Sequence, residues 1–169
     1  MCGIAGIISF KNYKVDPNKL KVLSKSIKNR GPDNQSTWIN NSKNVALSVA
    51  RLATKDKRNI ANQPCFSSSK NSVCIMNGEI YNYNELKKKF IKSGTFFKSN
   101  NDTELLVNGL EKYGADFLKK IDGQFAFIFF NIRNNLIYAG RDRFGICPLY
   151  YSVDKSNIIF CSNPNGIYD

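Results

Sequence analysis

The sequence predicts one layered α+β domain, and three observations lead to that prediction. The chain has 169 residues, 42% of them hydrophobic. A chain of that size buries roughly two thirds of its unfolded surface, which is enough for one core. Strand patterns stand at both ends of the chain with helix patterns between them, an order that indicates sheets covered by helices. Residues 125–130 are almost continuously apolar, so both faces of that strand are expected to be buried.

The N-terminal part of the chain is predicted to form a strand and then an amphipathic helix. Residues 4–10 are apolar and rich in β-branched side chains, which favours a buried strand. Asp16 suits the N-cap of a helix and Pro17 its first position, and Gly31 with Pro32 ends the pattern. The apolar face of this helix is predicted to consist of Leu20, Leu23 and Ile27.

The remaining elements follow from the same patterns. Further strands are predicted at residues 45–52, 72–76 and 79–81, with Asn77-Gly78 interpretable as a hairpin turn between the last two. Helices are predicted at residues 83–93, with Leu86, Phe90 and Ile91 inward, at 102–113, capped by Asp102, and at 115–121. The C-terminal part is strand-rich, with strands at residues 125–131, 136–141, 149–153 and 158–162.

The net charge of +12 raises the hypothesis of nucleic-acid binding, because a basic surface attracts phosphate groups. Lysine outnumbers arginine by 19 to 6, and the lysine runs at residues 87–89 and 119–120 fall on polar helix faces. No basic block alternates with aromatic residues. Nucleic acid is therefore not an expected partner.

No apolar stretch approaches the ~20 residues of a membrane span, and residues 1–10 lack a signal-peptide pattern, so a cytoplasmic protein without a membrane partner is expected.

The use of cysteine and histidine restricts the chemistry. Five cysteines occur without any C-x-x-C pair, so neither a metal site nor a disulfide framework is predicted, and no cofactor is expected. Histidine is absent from the chain. This excludes Ser-His-Asp and Cys-His catalysis and the H-E-x-x-H zinc site. A nucleophilic enzyme with this sequence needs another base.

Cys2 offers one solution. Removal of Met1 leaves Cys2 with a free α-amine, whose ordinary pKa of about 7.7 to 8.0 allows it to act as a general base near neutral pH. Such an amine can activate the thiol of its own residue without a histidine. On position alone, an incidental buried cysteine at the start of a strand is the competing interpretation.

A series of short motifs follows the N-terminal MCGIAG. They are RGPD at residues 30–33, ARLA at 50–53, NGEIYN at 77–82, NDTE at 101–104 and RDRFGICPLYY at 141–151. In order and spacing the series resembles the class II glutamine amidotransferase domain of glutamine-hydrolysing asparagine synthetases, which are N-terminal nucleophile hydrolases. The resemblance runs from residue 2 to about residue 162.

The resemblance implies a four-layer αββα sandwich and a set of site residues. Cys2 matches the nucleophile that hydrolyses L-glutamine to glutamate and ammonia, and Asn77 and Gly78 match the oxyanion hole. Arg51 matches the residue that binds the substrate α-carboxylate, Asp102 matches the anion for the α-ammonium, and Glu79 lies in the same pocket. A simple helix N-cap is the competing interpretation of Asp102. The resemblance also implies that Arg30 supports the nucleophile loop.

The chain departs from the family pattern at several places. Val49 stands where asparagine synthetases often carry histidine, and Thr54 and Lys55 stand where the family is usually apolar. The terminal motif continues as Cys161-Ser-Asn-Pro164 instead of the usual Ser-Glu, and no Gly-Gly phosphate loop is present.

The expected organisation is one amidotransferase domain over residues 2–169, short at its C-terminus and without a synthetase domain. It is expected to supply ammonia to an ATP-dependent synthetase partner in asparagine biosynthesis, and it cannot complete that synthesis alone. The alternative is a catalytically inactive module that binds glutamine or a partner protein.

Overall fold

Two antiparallel sheets form the centre of the computed structural model, which describes residues 1–10 and 13–168. The first sheet has the strand order β2 (Asn34–Ile39), β3 (Val45–Arg51), β1 (Gly3–Ser9), β9 (Asn157–Cys161) and β8 (Tyr150–Val153). The second sheet has the order β4 (Cys65–Phe66), β5 (Ser72–Ile80), β6 (Gly123–Asn131) and β7 (Leu136–Arg141). The N-terminal strand therefore lies at the centre of its sheet.

Helices cover the outer face of each sheet. They are α1 (Pro17–Ile27), α2 (Tyr83–Lys92), α3 (Asp102–Tyr113) and the short α4 (Asn165–Tyr168). Helix α1 packs on the first sheet, while α2 and α3 share a core with the second. Short 3-10 helices span Lys28–Arg30, Asn59–Ala61 and Gly114–Lys120. These layers confirm the predicted αββα sandwich and the α+β class.

The core lies in three layers, and β6 contributes to two of them. Phe127 and Phe129 pack toward α2 and α3, whereas Ala126, Ile128 and Phe130 pack between the two sheets. Adjacent side chains of a strand point to opposite faces, so a strand buried on both sides is apolar at every position. The prediction that both faces of this strand are buried is confirmed.

Helix α1 begins and packs as its sequence predicts. The Asp16 carboxylate accepts a hydrogen bond of 2.8 Å from the backbone N–H of Asn18, and Pro17 occupies the first helical position. The buried residues are Leu20, Leu23 and Ile27. A 3-10 turn, Lys28–Arg30, continues the helix before Gly31.

Two predictions in the middle of the chain are wrong. The predicted strands 72–76 and 79–81 are one strand, β5, and Asn77 and Gly78 pair with Ala126 and Phe125 of β6 and do not form a hairpin turn. The partner strand decides this, because nine consecutive ladder pairs outweigh the local turn preference of Asn-Gly. Ile91 was expected to face inward but is 54% exposed.

The start of α3 also differs from its prediction. The side chain of Asn101, not that of Asp102, accepts the capping hydrogen bond, at 3.0 Å from the backbone N–H of Thr103. Asp102 is the first residue of the helix, and its carboxylate is free for other contacts. The predicted helix 115–121 is a 3-10 helix, Gly114–Lys120. Strands β2 and β4 and helix α4 were not predicted.

Candidate active site

The N-terminal strand carries Cys2 to the end of the first sheet, beside the loop that follows β3. The Sγ atom of Cys2 lies 3.4 Å from the backbone nitrogen and 3.7 Å from the carbonyl oxygen of Leu52. Arg30 donates a hydrogen bond of 3.2 Å from Nε to the Cys2 carbonyl. The contacts with Leu52 hold the thiol and the hydrogen bond from Arg30 holds the backbone, while Cys2 as a residue stays half-buried.

Cys2 opens onto a cavity of about 170 Å³. The walls come from the chain start, the loop after β3, the end of β5, the first turn of α3 and the start of β6. The lining residues are Met1, Cys2, Leu52, Thr54, Lys55, Asn77, Gly78, Glu79, Asp102 and Gln124. The fold thus brings together five of the residues proposed from sequence, namely Cys2, Asn77, Gly78, Glu79 and Asp102.

Larger clefts lie elsewhere on the surface, and one of them also contains a cysteine. One of about 550 Å³ lies beside Phe66 and Phe96 and includes Cys65. Burial raises the pKa of the Cys65 thiol to about 12, so this thiol is protonated at neutral pH. The smaller cavity at Cys2 is therefore the better candidate for an active site.

The side-chain amide of Asn77 has an unusual environment. The residue is completely buried, yet neither Nδ2 nor Oδ1 has a hydrogen-bond partner in the described part of the chain. A buried amide without partners costs about 1–3 kcal/mol, so native proteins rarely retain one without a use. Because Asn77 is among the residues that line the cavity, its partnerless amide is a candidate donor to an oxygen atom bound there.

Gly78 completes this corner of the cavity. Its φ of +134° is a backbone conformation that side chains disfavour, and a Cβ here would clash with the carbonyl oxygen of Gln124. Only glycine permits β5 and β6 to approach this closely. The backbone of the second candidate donor is therefore fixed by tertiary packing.

A lysine occupies the anionic side of the cavity. The Lys55 Nζ atom lies 3.0 Å from Asp102 Oδ1 and 3.9 Å from the centre of the Tyr83 ring. Burial raises the pKa of the Asp102 carboxyl, and the ammonium of Lys55 opposes that shift. Glu79 is the second carboxylate of the lining.

Arg51 does not line the cavity. Its guanidinium is buried and donates one hydrogen bond of 2.8 Å to Asn62 Oδ1 and another to the carbonyl of Asp56. Asp56 in turn accepts hydrogen bonds from Arg58 and from the backbone N–H of Asn100, and the Arg58 guanidinium holds the pKa of the Asp56 carboxyl well below its usual range. Arg51 thus braces the loop that carries Lys55.

Sequence reasoning missed Gln124 and Leu52 as lining residues. Gln124 reaches the cavity because β6 places it opposite Glu79 of β5. No local pattern predicts that register, since it depends on strand pairing across more than forty residues. Leu52 could have been inferred from its position next to Arg51.

No cluster of metal ligands occurs among residues 1–10 and 13–168. Over the same residues, every helix is too short or too polar to cross a membrane.

The fold and this site define a class of protein, an amidotransferase domain with a candidate cysteine nucleophile at residue 2, and comparisons with known proteins agree on the class. A family model described as a glutamine amidotransferase domain matches residues 1–169. The chain therefore belongs to the glutamine amidotransferase domain family, and the predicted kinship with glutamine-hydrolysing asparagine synthetases is confirmed.

Several relatives cover nearly the whole chain. A Methanocaldococcus jannaschii protein named provisionally as a glutamine-hydrolyzing asparagine synthetase is 36% identical over 99% of the chain and 35% of its own length. Asparagine synthetase (glutamine-hydrolyzing) 2 of Bacillus subtilis is 34% identical over 99% of the chain and 22% of its own length. The rice (Oryza sativa subsp. japonica) asparagine synthetase 2 is 35% identical over 100% of the chain and 28% of its own length. The chain spans about a third or less of the length of these relatives.

A solved structure shares the fold. The glutamine phosphoribosylpyrophosphate amidotransferase from B. subtilis, complexed with ADP and GMP, superposes with a TM-score of 0.82 at 19% identity. The match covers 99% of this chain and 43% of that one. At this identity the likeness establishes the common αββα architecture.

Proposed function

We propose that this domain hydrolyses the side-chain amide of L-glutamine to glutamate and ammonia, with Cys2 as nucleophile. One observation carries the proposal: the partnerless, buried amide of Asn77 lies in the same cavity as the Cys2 thiol and the Gly78 backbone. An amide carbon attacked by a thiolate develops a negative oxygen, and two preorganised N–H donors beside the nucleophile meet that need.

The first half of the proposed reaction forms a covalent intermediate. The Cys2 sulfur bonds to the carboxamide carbon of glutamine, and the resulting oxyanion accepts hydrogen bonds from Asn77 Nδ2 and the backbone N–H of Gly78. Collapse of this tetrahedral species breaks the carbon–nitrogen bond and releases ammonia. Loss of one oxyanion donor typically costs about 3–4 kcal/mol of transition-state stabilisation, so both donors are important for the rate.

The proton transfers are assigned to the α-amine of Cys2, because the chain holds no histidine. The amine takes the thiol proton and delivers it to the departing nitrogen, and it then activates the water that cleaves the thioester. This role requires removal of Met1, which otherwise converts the amine into an amide nitrogen without useful basicity. Met1 also lines the cavity, so its removal enlarges the space beside the nucleophile.

The polar groups of glutamine are assigned to the far end of the cavity. Glu79 and Asp102 supply negative charge for the α-ammonium. Arg51 is proposed to bind the α-carboxylate after exchanging its present hydrogen bonds to Asn62 and Asp56. Arg30 is proposed to keep the Cys2 carbonyl in register and to take no direct part in the reaction.

The ammonia is proposed to serve an ATP-dependent synthetase partner or region, as the names of the relatives suggest for asparagine formation. Residues 2–169 are proposed to be one amidotransferase domain, which does not itself carry out the synthetase step. A cytoplasmic location is part of the proposal, and it is supported by five cysteines that all remain free thiols, as is usual in reducing compartments.

The proposed function is tested by covalent labelling and by substitution. The purified protein is incubated with a diazoketone analogue of glutamine, and the adduct is mapped by mass spectrometry. An adduct on Cys2 that has lost Met1 is the expected result, and Cys2→Ala is expected to abolish both the adduct and glutamate release. Cys65→Ala is the matched control, since its thiol lies outside the cavity. Persistent glutamate release by Cys2→Ala would refute the mechanism.

A second candidate function is a glutamine-binding or protein-binding module without catalysis. Two contacts favour the absence of catalysis, because Arg51 and Asp102 already bind groups of the protein itself, Asn62 and Lys55, and are not free to orient a substrate. Under this alternative, a correctly processed chain gives neither adduct nor ammonia, while calorimetry still detects glutamine binding. Ammonia release at any rate that depends on Cys2 excludes it.

A further inference from the structure

The cavity contains its own ammonium group. Lys55 carries the one cationic side chain among the lining residues, and its Nζ atom lies 3.0 Å from Asp102 Oδ1. The Asp102 side chain is only 8% exposed, so most of its surface is already covered. A ligand ammonium that approaches Asp102 therefore meets a carboxylate that already has a cationic partner.

Hydrogen bonds of neighbouring residues fix the position of Lys55. The peptide that follows Lys55 is held at Asp56, whose carbonyl accepts a hydrogen bond from Arg51 and whose carboxylate accepts one of 3.0 Å from the backbone of Asn100. Asn100 leads directly into α3, which begins at Asp102. The loop and the segment that leads into α3 are therefore tied together beside the ion pair.

The Tyr83 ring adds a second attraction. Lys55 Nζ lies 3.9 Å from the ring centre, a distance at which an ammonium is attracted by the aromatic face. Capping of α3 by Asn101 leaves the Asp102 carboxylate free to face the lysine. Helix, loop and aromatic ring thus converge on one cation site that Lys55 fills.

We infer that Lys55 is a specificity-determining residue that competes with the α-ammonium of the substrate. The inference rests on the proposed amidohydrolase function and deepens it by naming a residue that sets the selectivity of the cavity. The wild-type cavity should therefore bind glutamine with a higher KM than the same primary amide without its α-ammonium. The ammonium of glutamine can pair with Asp102 only after Lys55 has left that carboxylate, and this displacement weakens binding without altering the reacting groups.

The test compares two substrates that differ only at the competing group. One is glutamine, and the other is glutaramate, which is glutamine with hydrogen in place of the α-ammonium. Ammonia release from each is measured for wild type, Lys55→Met and Lys57→Met. The last is a matched control, because Lys57 is a nearby exposed lysine outside the cavity lining.

Lys55→Met is expected to lower KM for glutamine by about 3- to 10-fold, the range of a partly exposed ion pair, while kcat stays unchanged. KM for glutaramate should stay the same, so the ratio of the two kcat/KM values shifts toward glutamine. Lys57→Met should leave that ratio at the wild-type value. A merely structural role of Lys55 would alter both substrates alike and would appear as lower thermal stability.

Other outcomes overturn the inference in distinct ways. If Lys55→Met raises KM for both substrates, Lys55 binds their shared carboxylate, and if the ratio is unchanged, the ion pair has no role in selection. In both cases ammonia release continues and the proposed function stands. If neither substrate yields ammonia, Cys2→Ala proteins with and without Lys55→Met are titrated by calorimetry, and absence of binding removes the proposed function and this inference together.

Discussion

The hydroxyl of Ser162 binds both the backbone N–H and the backbone carbonyl of Ile4. The Ser162 Oγ atom accepts a hydrogen bond of 2.8 Å from the Ile4 N–H and donates one of 3.0 Å to the Ile4 carbonyl. Both residues are buried, and Ile4 lies two positions after the candidate nucleophile. The residue that follows β9 thus fixes the position at which β1 presents Cys2.

Ser162→Ala is expected to destabilise the domain and to weaken catalysis. The substitution leaves the buried N–H of Ile4 without this partner, which costs about 1–3 kcal/mol of unfolding free energy, while the Ile4 carbonyl keeps its hydrogen bond of 2.9 Å from the backbone N–H of residue 162. Urea unfolding measures this loss, and kcat for ammonia release is expected to fall with it. Ser42→Ala, in an exposed turn, is the control and should change neither quantity. An unchanged unfolding midpoint for Ser162→Ala contradicts the prediction.

Asn77→Leu is expected to separate stability from activity. Leucine replaces a buried amide that has no partner in the described chain, so the unfolding free energy should rise by about 1 kcal/mol. The same change removes an oxyanion donor, and kcat should fall about 100- to 1,000-fold. Chemical unfolding and steady-state kinetics on the same preparation check both parts. A destabilised variant, or one with near-normal kcat, is incompatible with the assigned role.

Gly78→Ala is expected to be far more damaging than Gly94→Ala. Both glycines have positive φ, +134° and +85°, but a Cβ at Gly78 clashes with the backbone of β6, whereas none meets any atom within 4 Å at Gly94. Gly94→Ala should therefore cost about 1–2 kcal/mol, the conformational cost alone. Gly78→Ala should cost more and abolish glutamate release. Thermal unfolding of the two variants measures the difference, and equal losses would show that the close approach of β5 and β6 is unimportant.

Asp142→Asn is expected to reduce stability at neutral pH and to flatten its decline in acid. The Asp142 carboxylate accepts hydrogen bonds from the backbone N–H groups of Phe125, Phe144, Ile146 and Cys147. Burial raises the pKa of the Asp142 carboxyl, but these four donors together hold it below the ordinary 3.8. A lowered pKa contributes stability that is present above pH 3.8 and is lost as the pH falls further.

The measurement is urea unfolding at several pH values. At pH 7 the variant should lose about 1–3 kcal/mol, because an amide cannot accept from all four donors. The difference from wild type should shrink progressively below pH 4, where the wild-type carboxylate becomes protonated. Asp116→Asn, which removes an exposed carboxylate paired with Lys119, should leave stability almost unchanged. A difference that is constant with pH contradicts the assignment.

Local sequence signals predicted the elements that bury one apolar face, such as α1, and the strand that is buried on both faces, β6. Helix α1 has its N-cap, proline and buried residues where predicted, and β6 is buried on both faces. Strand β2 was missed because Asn34, Gln35 and Ser36 have little strand preference and only three strand-favouring residues follow, so pairing with β3 supplies what the local sequence lacks. The break expected at Asn77-Gly78 was wrong for the same reason.

The sequence by itself determined the layered α+β class, the family, and the identity of the proposed nucleophile, since each depends on residues that are informative where they stand. Only the tertiary structure decided that Asn101 caps α3, that Arg51 turns toward Asn62, and that Lys55 faces Asp102. The physical reason is that a cavity is assembled from segments far apart in the chain. Which charge meets which partner depends on distances that arise when the two sheets and α3 have packed together.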